Sequence, residues 1–162
     1  MASFDFVRRR LNIQGFRSLG DDAAAQVAPW MRFTPTANVV LVAVGTALGS
    51  PLVTGIAALM MAIGALTSAH PFDRLYNSLL SPLLKSPRLP PSPDRRRFVF
   101  AVGAVWLGVT ASLFQMGFTA TGYIFGGIMA VMIVPLATVH FCPISEPMEL
   151  IFGPARPRRD QD

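Results

Sequence analysis

FTPTANVVLVAVGTALGSPLVTGIAALMMAIGALTSAHPF, residues 33–72, and FVFAVGAVWLGVTASLFQMGFTATGYIFGGIMAVMIVPLATVHFCPIS, residues 98–145, contain no Asp, Glu, Lys or Arg. All 14 basic and 9 acidic residues fall outside them, in the blocks 1–32, 73–97 and 146–162. Charged residues make up 14% of the chain, well under the roughly 25% of soluble domains. A helix rises about 1.5 Å per residue and a bilayer's hydrocarbon core is about 30 Å thick, so each uncharged stretch is long enough to cross twice. A soluble four-helix core would keep a polar outer stripe on each helix, and these segments are apolar all round.

This pattern predicts an all-α integral membrane protein with four transmembrane helices arranged as two hairpins, plus short interfacial amphipathic helices. The expected organisation is a basic arm (1–32), a first hairpin (33–72), an interfacial helix with a proline-rich linker (73–97), a second hairpin (98–142) and a tail (143–162). The turns between paired helices, near Gly49 to Pro51 and Gly117 to Gly122, carry no basic residue. The positive-inside rule then places both termini and the 73–97 loop in the cytoplasm, with the chain in the cytoplasmic (inner) membrane. No apolar signal core precedes the first span, which is expected to act as its own targeting signal.

Local signals set the expected boundaries. Thr34 and Pro35 read as the cap and first turn of helix one, and Ser50 and Pro51 as those of helix two. Helix two is expected to end near Ala69, because His70 precedes Pro71 and a residue before proline is pushed out of helical backbone. Helices three and four are expected over Phe98 to Met116 and Tyr123 to His140, with Pro135 kinking the last. Phe72, Leu75, Tyr76, Leu79, Leu80, Leu83 and Leu84 recur at helical spacing opposite Asp73, Arg74 and Asn77, the pattern of an amphipathic helix lying at the membrane surface. Pro87, Pro90, Pro91 and Pro93 make the following linker extended. In the arm, Phe4, Val7 and Leu11 beside Arg8, Arg9 and Arg10 fit either a surface helix or a loosely ordered segment. The two halves echo one another, each opening on Arg-Phe (Arg32-Phe33, Arg97-Phe98) and closing a helix on His70 or His140, as internal repeats would.

Residues able to carry chemistry are few. The uncharged spans hold no ionisable group to bind an ion or relay a proton, which argues against a charge-coupled transporter. Ala104, Gly108 and Ser112, and Gly122, Gly126 and Ala130, form small-residue ladders suited to close helix packing inside the bundle or against another subunit. His70 and His140, with Cys142 and Asn38 near the same end, would make a cofactor or soft-metal site if the helices converge, with haem iron or a chlorophyll magnesium among the candidates. A simple helix-end capping role, which needs no partner, is the preferred reading of each histidine. Arg8, Arg9, Arg10, Arg95, Arg96 and Arg97 are expected to bind anionic lipid. The basic residues flank the spans, so nucleic acid is not an expected partner, and no particular cofactor is indicated.

The order of these features resembles the bacterial membrane proteins grouped as domain-of-unknown-function family 4395. The resemblance rests on the first hairpin, the segment Pro71 to Leu84, the proline-rich linker, Arg97-Phe98 opening the second hairpin, and Phe141-Cys142 closing it. It implies a Cys-x-x-Cys pair after the last helix, and with it thiol or sulfur chemistry. Here Cys142 matches the first position and Ser145 stands at the second, which removes an intrachain dithiol cycle. Without a nucleophile-base pair or a phosphate loop, the leading expectation is a non-enzymatic accessory subunit of a larger membrane complex. The alternative is a cofactor-binding or sulfur-associated membrane protein using His70, His140 and Cys142.

Overall fold

A computed structural model describes residues 2–142, and every regular element among them is helical. In chain order these are α1 (Ala2–Ile13), α2 (Asp21–Val27), a 3₁₀ turn at Trp30–Arg32, α3 (Phe33–Ala47) and α4 (Pro51–Leu66). There follow α5 (Pro71–Leu75), a π-helical turn at Tyr76–Leu80, α6 (Ser81–Leu84), α7 (Asp94–Gln115) and α8 (Thr119–Val139).

The four-crossing expectation is overturned by helix length. Among the described residues only α7, with 22 residues, and α8, with 21, are long and apolar enough to cross a membrane. The 15 residues of α3 and 16 of α4 give helices of roughly 22 and 24 Å at about 1.5 Å per residue, short of an approximately 30 Å core. A third crossing exists only if α4 and the segment Pro71–Leu84 count as one span, and the two are bent by 80°. Hydropathy read the first uncharged stretch as two spans because it records only the absence of charge. It did not register that α3 is fused to the 3₁₀ turn at Trp30–Arg32, nor that α4 stops at Leu66, four residues before the proline-directed break.

α3 and α4 nevertheless form a hairpin that packs on the α7–α8 hairpin as one bundle, α4 chiefly on α7 and α3 on α8. Its core contains Val42, Ala57, Met61, Phe100, Leu107, Met129 and Ile133. The side chain of Ser50 accepts from the Val53 amide at 3.3 Å with Pro51 in the first turn, as its sequence predicts. Thr34 does not cap, because the 3₁₀ turn carries helical backbone past it. Met116 to Phe118 turn the chain between α7 and α8, with Gly117 at φ +83°, a left-handed conformation suited to glycine. Gly126 brings α8 onto α3, where a methyl group would overlap Thr46.

The basic arm is neither loose nor separate. Leu11, Phe16, Ala24, Val27, Ala28 and Met31 bury with Tyr76 and Leu89 in a second core at one end of the bundle. Arg8 holds its bend by donating to the Phe16 and Leu19 carbonyls and to Asp21.

The segment Pro71–Leu84 is amphipathic in the opposite sense to a helix facing water. Asp73, Tyr76 and Ser81 are buried, whereas Leu79 and Leu83 are 61% and 76% exposed, beside exposed Leu75 and Leu84. The turn at Tyr76–Leu80 within this segment is π-helical. Several of the segment's polar groups find partners within the fold: Tyr76 Oη meets Ser86 Oγ at 2.6 Å, and Asn77 exchanges two bonds with the Leu89 backbone. Polar inside and leucine outside is the arrangement of a helix solvated by hydrocarbon.

Candidate functional site

At the end of the bundle where the arm packs, a cavity of about 60 Å³ lies between the arm, the starts of α3 and α7 and the end of α8. Its walls are mainly thioether, aliphatic and aromatic, from Met31, Met61, Met129, Met132, Phe100 and Ile133. Gln14, Asn38, Arg96, His140 and Cys142 supply the polar atoms. Gly103 keeps this wall close, since a methyl there would lie 3.1 Å from the Met129 Cε and 3.4 Å from the Met61 Sδ.

Arg96 is built in from three sides. Its Nη2 donates to Asp73 Oδ1 at 3.2 Å, and its guanidinium lies over the rings of Phe100 at 5.3 Å and Phe16 at 5.8 Å. The Thr34 hydroxyl donates to the same carboxylate oxygen, so α3, α5 and α7 meet at Asp73. The side chains of Arg96 and Asp73 are only 10% and 2% exposed. Buried charges of this kind persist only as a compensated pair. Two buried polar atoms on residues of the cavity wall have no hydrogen-bond partner: Arg96 Nη1, a donor, and Asn38 Oδ1, an acceptor. Asn38 spends its Nδ2 on the Thr34 carbonyl at 3.0 Å.

The two histidines are not assembled into one site. His140 lines the cavity with Cys142, and His70 does not. His70 instead caps α5, its Nδ1 accepting from the Phe72 amide at 3.2 Å, and its ring packs on Phe72 and Phe100. His140 ends α8 in a left-handed conformation, φ +56°, with its carbonyl accepting from Gln14 Nε2 at 2.6 Å. Its Nε2 accepts from Arg32 Nε at 3.2 Å. Burial, and then the neighbouring Arg32 charge, lower its pKa to about 4, so the ring is neutral at physiological pH. With that lone pair engaged, neutral His140 presents an N–H and not a free metal ligand. Among the described residues no group of three or more His, Cys, Asp or Glu side chains could hold a metal ion.

The profile of the family described as domain of unknown function DUF4395 matches residues 28–143, most of the chain and the whole of the helical bundle. The protein belongs to the DUF4395 family. It is thus a bacterial, membrane-associated helical protein. No curated protein and no solved structure matches it. In this DUF4395 chain Cys142 is the sole cysteine and is buried. Ser145, at the place of a second one, lies outside the described residues, as does the rest of the 143–162 tail.

The remaining predicted residues of this DUF4395 protein separate into two groups. On α8, Gly122 packs on Phe114 and Gly126 on Thr46, and Ala130, like Ala104 of α7, packs on the core. Gly108 has no atom within 4 Å of a methyl built on it, and Ser112 is exposed. Most of the arginines expected at lipid headgroups have internal partners. Arg10 stacks on Phe6 and Phe141, Arg95 donates to the Ile13 carbonyl, and Arg97 donates to the Ala65 and Leu66 carbonyls at the end of α4. Arg9 is exposed. Sequence reasoning missed Asp73, Thr34 and Gln14 as parts of this site. The available signal was positional: Asp73 is the first charge after one uncharged stretch and Arg96 lies just before the other.

Proposed function

We propose that this DUF4395 protein is a membrane-embedded, non-enzymatic binding protein that holds a small molecule at the closed end of its bundle. The observation that carries this reading is the apolar cavity whose wall residues Arg96 and Asn38 each keep a buried polar atom without a partner. Leaving such atoms unsatisfied costs about 1–3 kcal/mol each, so they favour an occupant that answers them. In this reading α7 and α8 cross the inner membrane as a hairpin, with the basic, arm-covered end on the cytoplasmic side. The test is purification from native membrane, followed by an absorption spectrum and mass spectrometry of extracted small molecules. A molecule retained at stoichiometric amount by the native chain and lost from Met132→Trp, which fills the cavity, supports the proposal. Preparations of the two that carry the same extractable molecules contradict it.

A second reading, an accessory subunit docked to a larger membrane complex, is favoured by the outward face of α7. There Gly108 and Ser112 present a small-residue surface that nothing among the described residues covers, open to close approach by another helix. Isolation in mild detergent recovers a stoichiometric membrane partner on this reading, and Gly108→Leu releases it. Recovery of the protein alone counts against it.

A further inference from the structure

We infer that the ligand of the cavity is a small neutral molecule with a hydroxyl group on an apolar body, of the size and polarity of a short-chain alcohol; this rests on the binding reading above. The charge balance excludes the alternatives in turn. Arg96 is already neutralised by Asp73, whose second oxygen, Oδ2, is itself buried without a partner. An anion would therefore add uncompensated negative charge beside a buried carboxylate, and a cation would be repelled by the guanidinium. A pure acceptor such as an ether or ketone answers Arg96 Nη1 and leaves Asn38 Oδ1 bare. A hydroxyl both accepts and donates, and so is the neutral group able to answer an unpaired donor and an unpaired acceptor alike.

Water has the same two capacities, but the remainder of the space speaks against a water-filled site. A volume of about 60 Å³ exceeds what one water needs, and further waters against Met61, Met129, Met132 and Ile133 would find few partners. Methionine walls are adaptable and polarizable, and they accommodate an alkyl chain by rotating their own. One polar end and an apolar remainder together describe an amphipathic solute.

The full-length protein in detergent micelles, with ¹³C-labelled methionine methyl groups, tests this by NMR. The probes are 1-butanol, its isomer diethyl ether, butylammonium and butyrate. The expected result is a saturable shift of the Met61 and Met129 methyls with 1-butanol, at an affinity about tenfold above that for diethyl ether and the two ions, as loss of one buried hydrogen bond implies. Met132→Trp abolishes the saturable shift, and Asn38→Leu removes the preference for alcohol over ether. Saturable binding of ether or butyrate as tight as 1-butanol overturns the hydroxyl assignment while leaving the binding site standing. No saturable shift with any probe, in a folded wild-type protein with resolved methyl signals, overturns both and leaves a cavity that holds water only.

Discussion

Arg96 at the start of α7 and Asp73 in α5 form a buried ion pair, Nη2 to Oδ1 at 3.2 Å, and the Thr34 hydroxyl of α3 donates to the same oxygen. Three segments far apart in sequence are joined at one carboxylate. Removing one partner of a buried pair strands the other, at a typical cost of about 3–5 kcal/mol, whereas replacing both with apolar residues is often neutral. Arg96→Met is therefore expected to lower the midpoint of thermal unfolding in detergent sharply. The double variant Arg96→Met with Asp73→Leu is expected to recover most of that loss. Equal destabilisation by the single and double variants would show that the pair does not act as a unit.

The glycine ladders give opposite expectations for the same substitution. Gly126→Ala places a methyl against the β-branched Thr46 side chain across the α8–α3 contact, within 3.0 Å of its Cβ as well as of both branches. Overpacking of this kind costs about 1–3 kcal/mol. Gly108→Ala meets no atom within 4 Å on the outer face of α7 and is expected to be neutral or slightly stabilising, through its better helix propensity. Chemical denaturation of the two variants in the same detergent checks the contrast, and equal midpoints would remove it.

The cap at Ser50 and Pro51, the turn at Gly117 and the extended proline-rich linker were readable from sequence because each depends on a few adjacent residues. The number of crossings was not, since it depends on where α3 and α4 end and lack of charge does not mark an end. The cavity was half legible. His140 and Cys142 share it as their place at the end of the last helix suggested, while His70 turned to its own local cap. Arg96 looked like one of three equivalent surface arginines. Only tertiary packing distinguishes it, by setting Arg95 on the arm, Arg97 on the end of α4 and Arg96 against Asp73.

The outward leucines of Pro71–Leu84 predict a lipid-facing surface. Spin labels at Leu79 and Leu83, 61% and 76% exposed, are expected to collide more with dissolved oxygen than with a water-soluble nickel chelate in phospholipid vesicles. A label at exposed Ser68, before the bend, provides a comparison position. Preferential collision of the Leu79 and Leu83 labels with the aqueous chelate would show that this face is wet, and that its leucines await a protein surface.

Both histidines contribute to the pH dependence of stability, since burial lowers the pKa of His70 as well as that of His140 to about 4, and His140 can be tested by itself. Its pKa in the folded chain is about 4, against 6.5 when free, so between these values the unfolded chain binds more protons than the folded one. Stability therefore rises with pH across this window. It is complete above about pH 6.5, declines as pH falls toward 4, and this histidine adds no further loss once both states are protonated. The cause is burial first and then Arg32, whose Nε donates to the neutral ring. His140→Gln keeps a side-chain acceptor for Arg32 but cannot titrate. Wild type is expected to lose stability relative to this variant by on the order of 2 kcal/mol between pH 7 and pH 4.5. Parallel unfolding curves for the two proteins over that range would mean that the ring accepts a proton in the folded state as readily as it does in the unfolded one.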